Sequence, residues 1–184
     1  IQTFEYRIQY FGADLKSGDK MVLNYTIVAE GLINDFEISK NVVINKNTYW
    51  WRQWEADIKT FRGRTLALAS NLIWGEFYDG AALRNRTDIY WRAGKYINIS
   101  VRYEINDVKL SDGNFQTNLI GSRIEYAINP NLFGSVLSQW NTDQNELNLN
   151  FRMRYIPKIG TDIYFIFNQL YDTEGNDIAV KSTT

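Results

Sequence analysis

The sequence contains no cysteine and no histidine among its 184 residues. Without cysteine there can be no disulfide, thiolate metal site or cysteine nucleophile. Without histidine there can be no Ser-His triad, no His-bearing zinc centre and no imidazole base. Only two prolines are present. No apolar run approaches the ~18 residues of a membrane helix. Charge of one sign is lacking too: 20 basic residues stand against 21 acidic ones, which removes the electrostatic footprint of a nucleic-acid partner. The 15% of aromatic residues argue against disorder, because disordered chains are poor in them. The chain begins Ile-Gln-Thr, with neither an initiator Met nor a signal-peptide core.

What is present is period two. Tyr6, Ile8 and Tyr10 alternate with Glu5, Arg7 and Gln9. Ile97, Ile99, Val101, Tyr103 and Ile105 alternate with Asn98, Ser100, Arg102 and Glu104. Leu147, Leu149, Phe151, Met153 and Tyr155 alternate with Asn148, Asn150, Arg152 and Arg154. Ten such segments follow one another, and only 132–140 is ambiguous, since Leu132, Val136 and Trp140 compete with Phe133 and Leu137. No 3.6-residue stripe is sustained, so no substantial helix is expected. Each segment runs about nine to eleven residues, enough to cross a bilayer as a tilted strand.

The connections carry a second pattern. Those at 61–64, 92–96, 129–131 and 156–161 look tight, whereas 30–48, 75–86, 106–116 and 141–146 look long. Outer-membrane barrels have short periplasmic turns and longer extracellular loops. Tyr49, Trp50, Trp51 and Trp74 fall towards the long-loop ends, and Phe61, Trp91, Tyr96, Tyr126 and Tyr155 towards the short-turn ends, as two interfacial belts would. A soluble β-sandwich could use the same aromatics in a core, but it has no reason to sort its loops.

The expectation is therefore an all-β fold, an antiparallel transmembrane β-barrel with about ten strands in view. Residues 1–184 are expected to be one segment of a larger barrel, truncated at both ends, because an even strand count with both termini periplasmic requires more strands. The expected location is the bacterial outer membrane, with long loops extracellular and short turns periplasmic.

Glu55, Asp57, Lys59, Asp88, Arg92, Arg102, Glu104, Arg123, Glu125, Arg152 and Arg154 are expected on the polar, lumen-facing wall, together with Glu5 and Arg7. Seven basic residues meet six acidic ones, so no strong ion selectivity is expected of the wall. Pairing Arg92 with Asn98 brings Asp88 to Arg102, and pairing Glu104 with Arg123 brings Arg102 to Glu125. Arg154 is expected to meet Asp162. Glu55 and Asp57 share a face and have the carboxylate chemistry for acid–base work, yet lumen polarity explains them without a substrate. Asp79-Gly80 and Asp112-Gly113 are turn sequences first and calcium ligands second. No catalytic residue, metal site or cofactor is implied.

Phe36-Glu-Ile-Ser, Val42-Val-Ile, Trp74-Gly-Glu-Phe-Tyr-Asp-Gly80, the run from Asn106 to Thr117, Asn129-Pro-Asn-Leu, Leu149-Asn-Phe-Arg-Met-Arg-Tyr155 and the run from Gly160 to Gln169 occur in this order. Together they resemble the C-terminal barrel of a Bacteroidota-type outer-membrane family, in which a family-9-like carbohydrate-binding module precedes a barrel of uncharacterised function. The resemblance covers roughly residues 36–175. It implies an outer-membrane channel, transporter or assembly component linked to glycan handling. A structural anchor for a carbohydrate-binding domain is the alternative, and a surface enzyme is a third, weakened by the missing histidine. The partners implied are outer-membrane lipid, other outer-membrane chains and, through a domain outside this sequence, glycans.

Overall fold

The structure is a computed structural model that describes residues 2–174 and 179–183. It is all-β. Among the described residues there is no helix, and thirteen strands follow one another: β1 (Gln2–Asp14), β2 (Lys20–Gly31), β3 (Phe36–Ser39), β4 (Val42–Ile44), β5 (Thr48–Lys59), β6 (Leu66–Phe77), β7 (Gly80–Ala93), β8 (Ile97–Lys109), β9 (Asn114–Asn129), β10 (Leu132–Asn141), β11 (Glu146–Lys158), β12 (Thr161–Asp172) and β13 (Ala179–Thr183). Eleven form one sheet in the order β1-β2-β5-β6-β7-β8-β9-β10-β11-β12-β13, and β3 with β4 forms a separate hairpin. Every neighbour in the large sheet is also a neighbour in sequence apart from the β2–β5 step across that hairpin. The arrangement is an antiparallel meander. β1 and β13 are the ends of the order, and among the described residues no ladder joins them.

All ten segments expected from period two are strands of this sheet. The β3–β4 hairpin and β13 are additional. Nine of the ten are longer than expected, up to sixteen residues in β9, while β10 with ten matches the expected length.

The sorting of connections by length fails at 75–86, and beyond β7 it survives only in compressed form, with connections at 94–96, 110–113, 130–131, 142–145 and 159–160. The expected long loop 75–86 is a two-residue turn, Tyr78–Asp79, because β6 and β7 continue to either side of it. Tyr78 takes φ 49° there. Gly80 is required for space: a Cβ at this position would lie 1.9 Å from the Lys109 carbonyl oxygen. The connection expected at 106–116 shrinks to 110–113, and the one at 141–146 to 142–145. Alternation had frayed at these strand ends, but the backbone ladders run on through them.

The tighter loop after β8 changes a register. Asn106 Nδ2 bonds Thr117 Oγ1 at 3.0 Å, the Ala127 amide donates to the Tyr96 carbonyl, and the Cβ position of Gly121 lies 3.8 Å from that of Arg102. Arg102 thus sits beside Gly121 rather than Glu125, a slip of four residues from the expected pairing. An even slip keeps every side chain on its face and changes only the partners. The ambiguity in β10 is also settled. Val136 pairs with Ile124 and Phe151 on the apolar face, while Leu137 pairs with Arg123 and Asn150 on the polar one.

The chain divides into two compact units, Ile1–Phe61, Ala69–Thr87 and Glu104–Thr117 in the first, Arg62–Leu68, Asp88–Tyr103 and Asn118–Thr184 in the second. The first holds the only cluster of fully buried apolar side chains among the described residues: Leu32, Val42, Ile44, Val108 and Leu110, flanked by Ile38, Tyr49, Phe77, Tyr78, Ala82 and Phe115. This small core seats the β3–β4 hairpin on the loop ends of β6–β9. The Val43 amide donates to Asp112 at 2.8 Å, and the Leu32 amide to the Asn47 carbonyl at 2.9 Å. Asp112 is therefore a loop tie, and Asp79 accepts a hydrogen bond from the Ser111 hydroxyl in the same region. Among the described residues no three acidic side chains converge to hold a metal ion.

Candidate functional site

In each unit much of the apolar side of the alternation is exposed. In the first unit Phe4, Tyr6, Ile8, Trp50, Ile58 and Leu83 are exposed, whereas Asn24 and Thr26 are buried. In the second, Trp91, Val101, Ile120, Ile124, Ile163, Phe165 and Phe167 are exposed, whereas the Asp88 carboxylate is 14% accessible. Sheets that fold in water bury the apolar side of their alternation and present the polar side to solvent.

The polar face of the first unit is a closed network. Glu55 accepts bonds from Asn24 at 3.3 Å and Asn71 at 2.9 Å and pairs with Arg7 at 3.2 Å. Asn71 also bridges to Asp57 at 3.1 Å, and Arg7 holds Glu5 at 3.0 Å. Lys59 is 4.0 Å from Asp57, and Arg86 is 3.5 Å from Glu104. The two carboxylates Glu55 and Asp57 share one amide donor, Asn71, and each faces a cation, Arg7 for the first and Lys59 for the second. Arg84 donates to Gln53 at 3.0 Å and lies 5.1 Å from the Phe77 ring.

At the loop end of this unit, Trp51 and Tyr78 stack 4.7 Å apart beside Phe77 and Tyr49. Trp51 and Tyr49 had been expected at an exposed aromatic belt. Trp51 is instead 5% exposed, and Tyr49 packs against the small core, because both lie on the polar-face parity that the hairpin covers. Trp50, next in sequence, is 63% exposed. The Tyr78 hydroxyl donates to Glu30 at 3.0 Å. Burial, and then that carboxylate, push its pKa well above the ordinary tyrosine value.

A cavity of about 480 Å³ opens next to this cluster, lined by Trp50, Trp51, Arg52, Glu76, Tyr78 and Asp79. It lies where the β5–β6 ladder ends, at Gln53 opposite Gly75. Beyond that point the Arg52 amide donates to the Glu76 carboxylate at 3.0 Å instead of to a strand. Gly75, with φ 142°, has no room for a side chain: its Cβ would stand 2.6 Å from the Arg52 carbonyl oxygen.

The second unit's polar face is different in kind. Asp88 takes Arg102 at 2.7 Å, and Arg154 takes Asp162 at 2.9 Å, both as the sequence led one to expect. Several arginines gather elsewhere on this face. A hollow of about 410 Å³ is lined by Arg62, Arg64, Arg92 and Arg123 with Tyr90, Asn98 and Ser100, and by one carboxylate, Glu125. Arg62 lies flat on Tyr90, 3.6 Å from the ring centre, and Arg123 is 3.8 Å from Glu125. A neighbouring hollow of about 270 Å³ shares Arg123 and adds Ser135, Asn148, Asn150, Arg152 and Asn168. Asn150 and Asn168 are hydrogen-bonded to each other across β11 and β12.

Glu55, Asp57, Lys59 and Glu104 thus belong to the first unit's network. Asp88, Arg92, Arg102, Arg123, Glu125, Arg152 and Arg154 lie in the second. Arg62 and Arg64 were missed, since they sit in the β5–β6 connection, outside any alternating segment. No protein-family model, characterised protein or solved structure matches the chain.

Proposed function

We propose that this chain is an outer-membrane β-barrel segment of a Gram-negative, Bacteroidota-type bacterium, serving as a channel, transporter or assembly component linked to glycan handling. One observation carries the reading: the apolar side of the alternation is exposed on strand after strand, while on the polar side Asn24 and Thr26 are buried and Glu55 and Asp88 nearly so. Soluble monomers rarely expose contiguous apolar patches larger than a few hundred Å², whereas here Phe, Tyr, Ile and Trp side chains are exposed on strand after strand. Lipid is the solvent that such a face fits, and an antiparallel meander is the connectivity of membrane barrels. The unjoined end strands fit a barrel completed by further strands or by another chain, because a free edge in lipid leaves backbone groups unsatisfied.

The glycan link rests on the family resemblance alone, with the saccharide held by a module outside this sequence. An anchor for that module is the alternative, and conductance in planar bilayers separates the two. Membrane residence itself is tested by fractionation and by heat-modifiable gel migration of the detergent-refolded chain. Recovery as a monodisperse soluble protein without detergent would contradict it.

A further inference from the structure

We infer that the second unit's polar face holds a binding site for an oxyanion, a solute carrying a phosphate, sulfate or carboxylate group. This deepens the transport reading by naming a class of solute, but its evidence is separate from the evidence for membrane insertion. Four guanidiniums, from Arg62, Arg64, Arg92 and Arg123, border one hollow of about 410 Å³ with a single carboxylate, Glu125. Like charges gathered on a concave surface repel one another, and their field attracts a counter-ion. Two features make the hollow a receptor. Arg62 is held flat on Tyr90 at 3.6 Å, so its planar fork is preorganised. Asn98 and Ser100, neighbours on β8, add neutral donors beside the guanidiniums. Guanidinium forks match oxyanions bidentately, and charge-assisted bonds of this kind are about twice as strong as neutral ones.

Neutrality of the whole chain hides this arrangement. Carboxylates and cations pair off around Glu55 and Asp57 in the first unit, whereas the second unit's hollow holds Arg62 and Arg92 beside a single ion pair, Arg123 with Glu125. The site lies on the polar face, on the opposite side of the sheet from Val101 and Phe151. A lipid phosphate approaching the apolar face therefore does not reach it, and the proposed occupant is a water-borne anion.

The test uses the full chain refolded in an uncharged detergent at low ionic strength, titrated calorimetrically with inorganic phosphate and separately with sulfate. Saturable binding that weakens with added salt is expected. The double variant R92Q/R123Q should lose roughly tenfold or more in affinity, equivalent to about 1.4 kcal/mol or more. E125Q, which removes the one carboxylate, should bind severalfold more tightly, and it keeps the test decisive if the double variant misfolds. R154Q, at an arginine already paired with Asp162, should change little. Absence of saturable binding to either anion, or E125Q binding no better than the parent chain, overturns the site. A heat-modifiable protein that binds neither anion loses only this site, whereas a detergent-independent soluble protein that binds phosphate loses only the membrane reading.

Discussion

Ile44→Ala should release the β3–β4 hairpin while leaving the large sheet intact. Ile44 is 1% exposed and is the largest fully buried side chain among the described residues. It packs with Leu32, Val42, Val108 and Leu110 in a core of only five buried residues. A two-stranded hairpin is marginal by itself, and this one has strands of four and three residues. Its seating depends on that core and on a few ties, chiefly Val43 to Asp112, Lys46 to Asp35 at 2.7 Å and Leu32 to Asn47. Truncating a buried isoleucine to alanine costs about 2–5 kcal/mol. Each tie contributes only about 1 kcal/mol net, so the remaining bonds cannot compensate. Local opening should then become more frequent by a factor of roughly thirty to several thousand, taking about tenfold per 1.4 kcal/mol. Hydrogen exchange at the Val43 and Leu32 amides, with tryptic cleavage at Lys40 and Lys46, reads this directly. Ile33→Ala is the control, because Ile33 is 63% exposed. Unchanged protection at Val43 in Ile44→Ala, or loss of protection throughout β6–β9 as well, would refute the idea that the hairpin is an independently seated cap.

Other expectations follow from the same geometry. Val101→Arg or Phe151→Arg, on the exposed apolar face, should cost roughly 2–4 kcal/mol of stability in bilayers, against much less for Asn98→Arg or Asn150→Arg. Chemical denaturation of vesicle-refolded protein measures the difference, and equal losses would mean the faces are reversed. Asp143→Cys, in the β10–β11 turn, should react with an impermeant thiol reagent on intact cells, while Ile159→Cys, at the opposite strand ends, should not. Tyr78 is held protonated by burial and by its bond to Glu30. Its raised pKa stabilises the loop cluster fully below about pH 10, the unfolded value, and that contribution is lost as pH climbs towards the folded one. Protease resistance of the cap should fall above about pH 10, and Tyr78→Phe should remove that dependence.

The ladder strands were legible because alternation at period two is a local property that survives without knowledge of partners. Ile97–Ile105 and Leu147–Tyr155 show it over whole strands. Strand ends were not, since Glu76, Phe77, Ala81 and Ala82 break the alternation while their backbones go on pairing. The β3–β4 hairpin hid inside a segment read as loop, its strands too short to establish a period. Asn41, at φ 62° between them, was the one turn signal available. The arginine hollow was the least legible feature. Arg62 and Arg64 come from a connection, and Arg123 reaches Ser100 only through the β8–β9 register. Alternation reports a face, whereas a site is a matter of which residues on that face are neighbours.

The place where β5 and β6 part company sets an order of events. Up to Gln53 and Gly75 the two strands are held by repeating backbone bonds; past them, the Arg52 amide depends on one carboxylate, Glu76. A seam of this kind closes from its regular end and closes last at the carboxylate. During assembly β6 can therefore zip onto β5 from the Lys59–Ala69 pair and be latched only when Glu76 arrives. Under load the same seam parts first at the latch. Glu76→Ala would remove that acceptor without touching a single strand-to-strand bond, leaving the two strands joined only along their regular ladder.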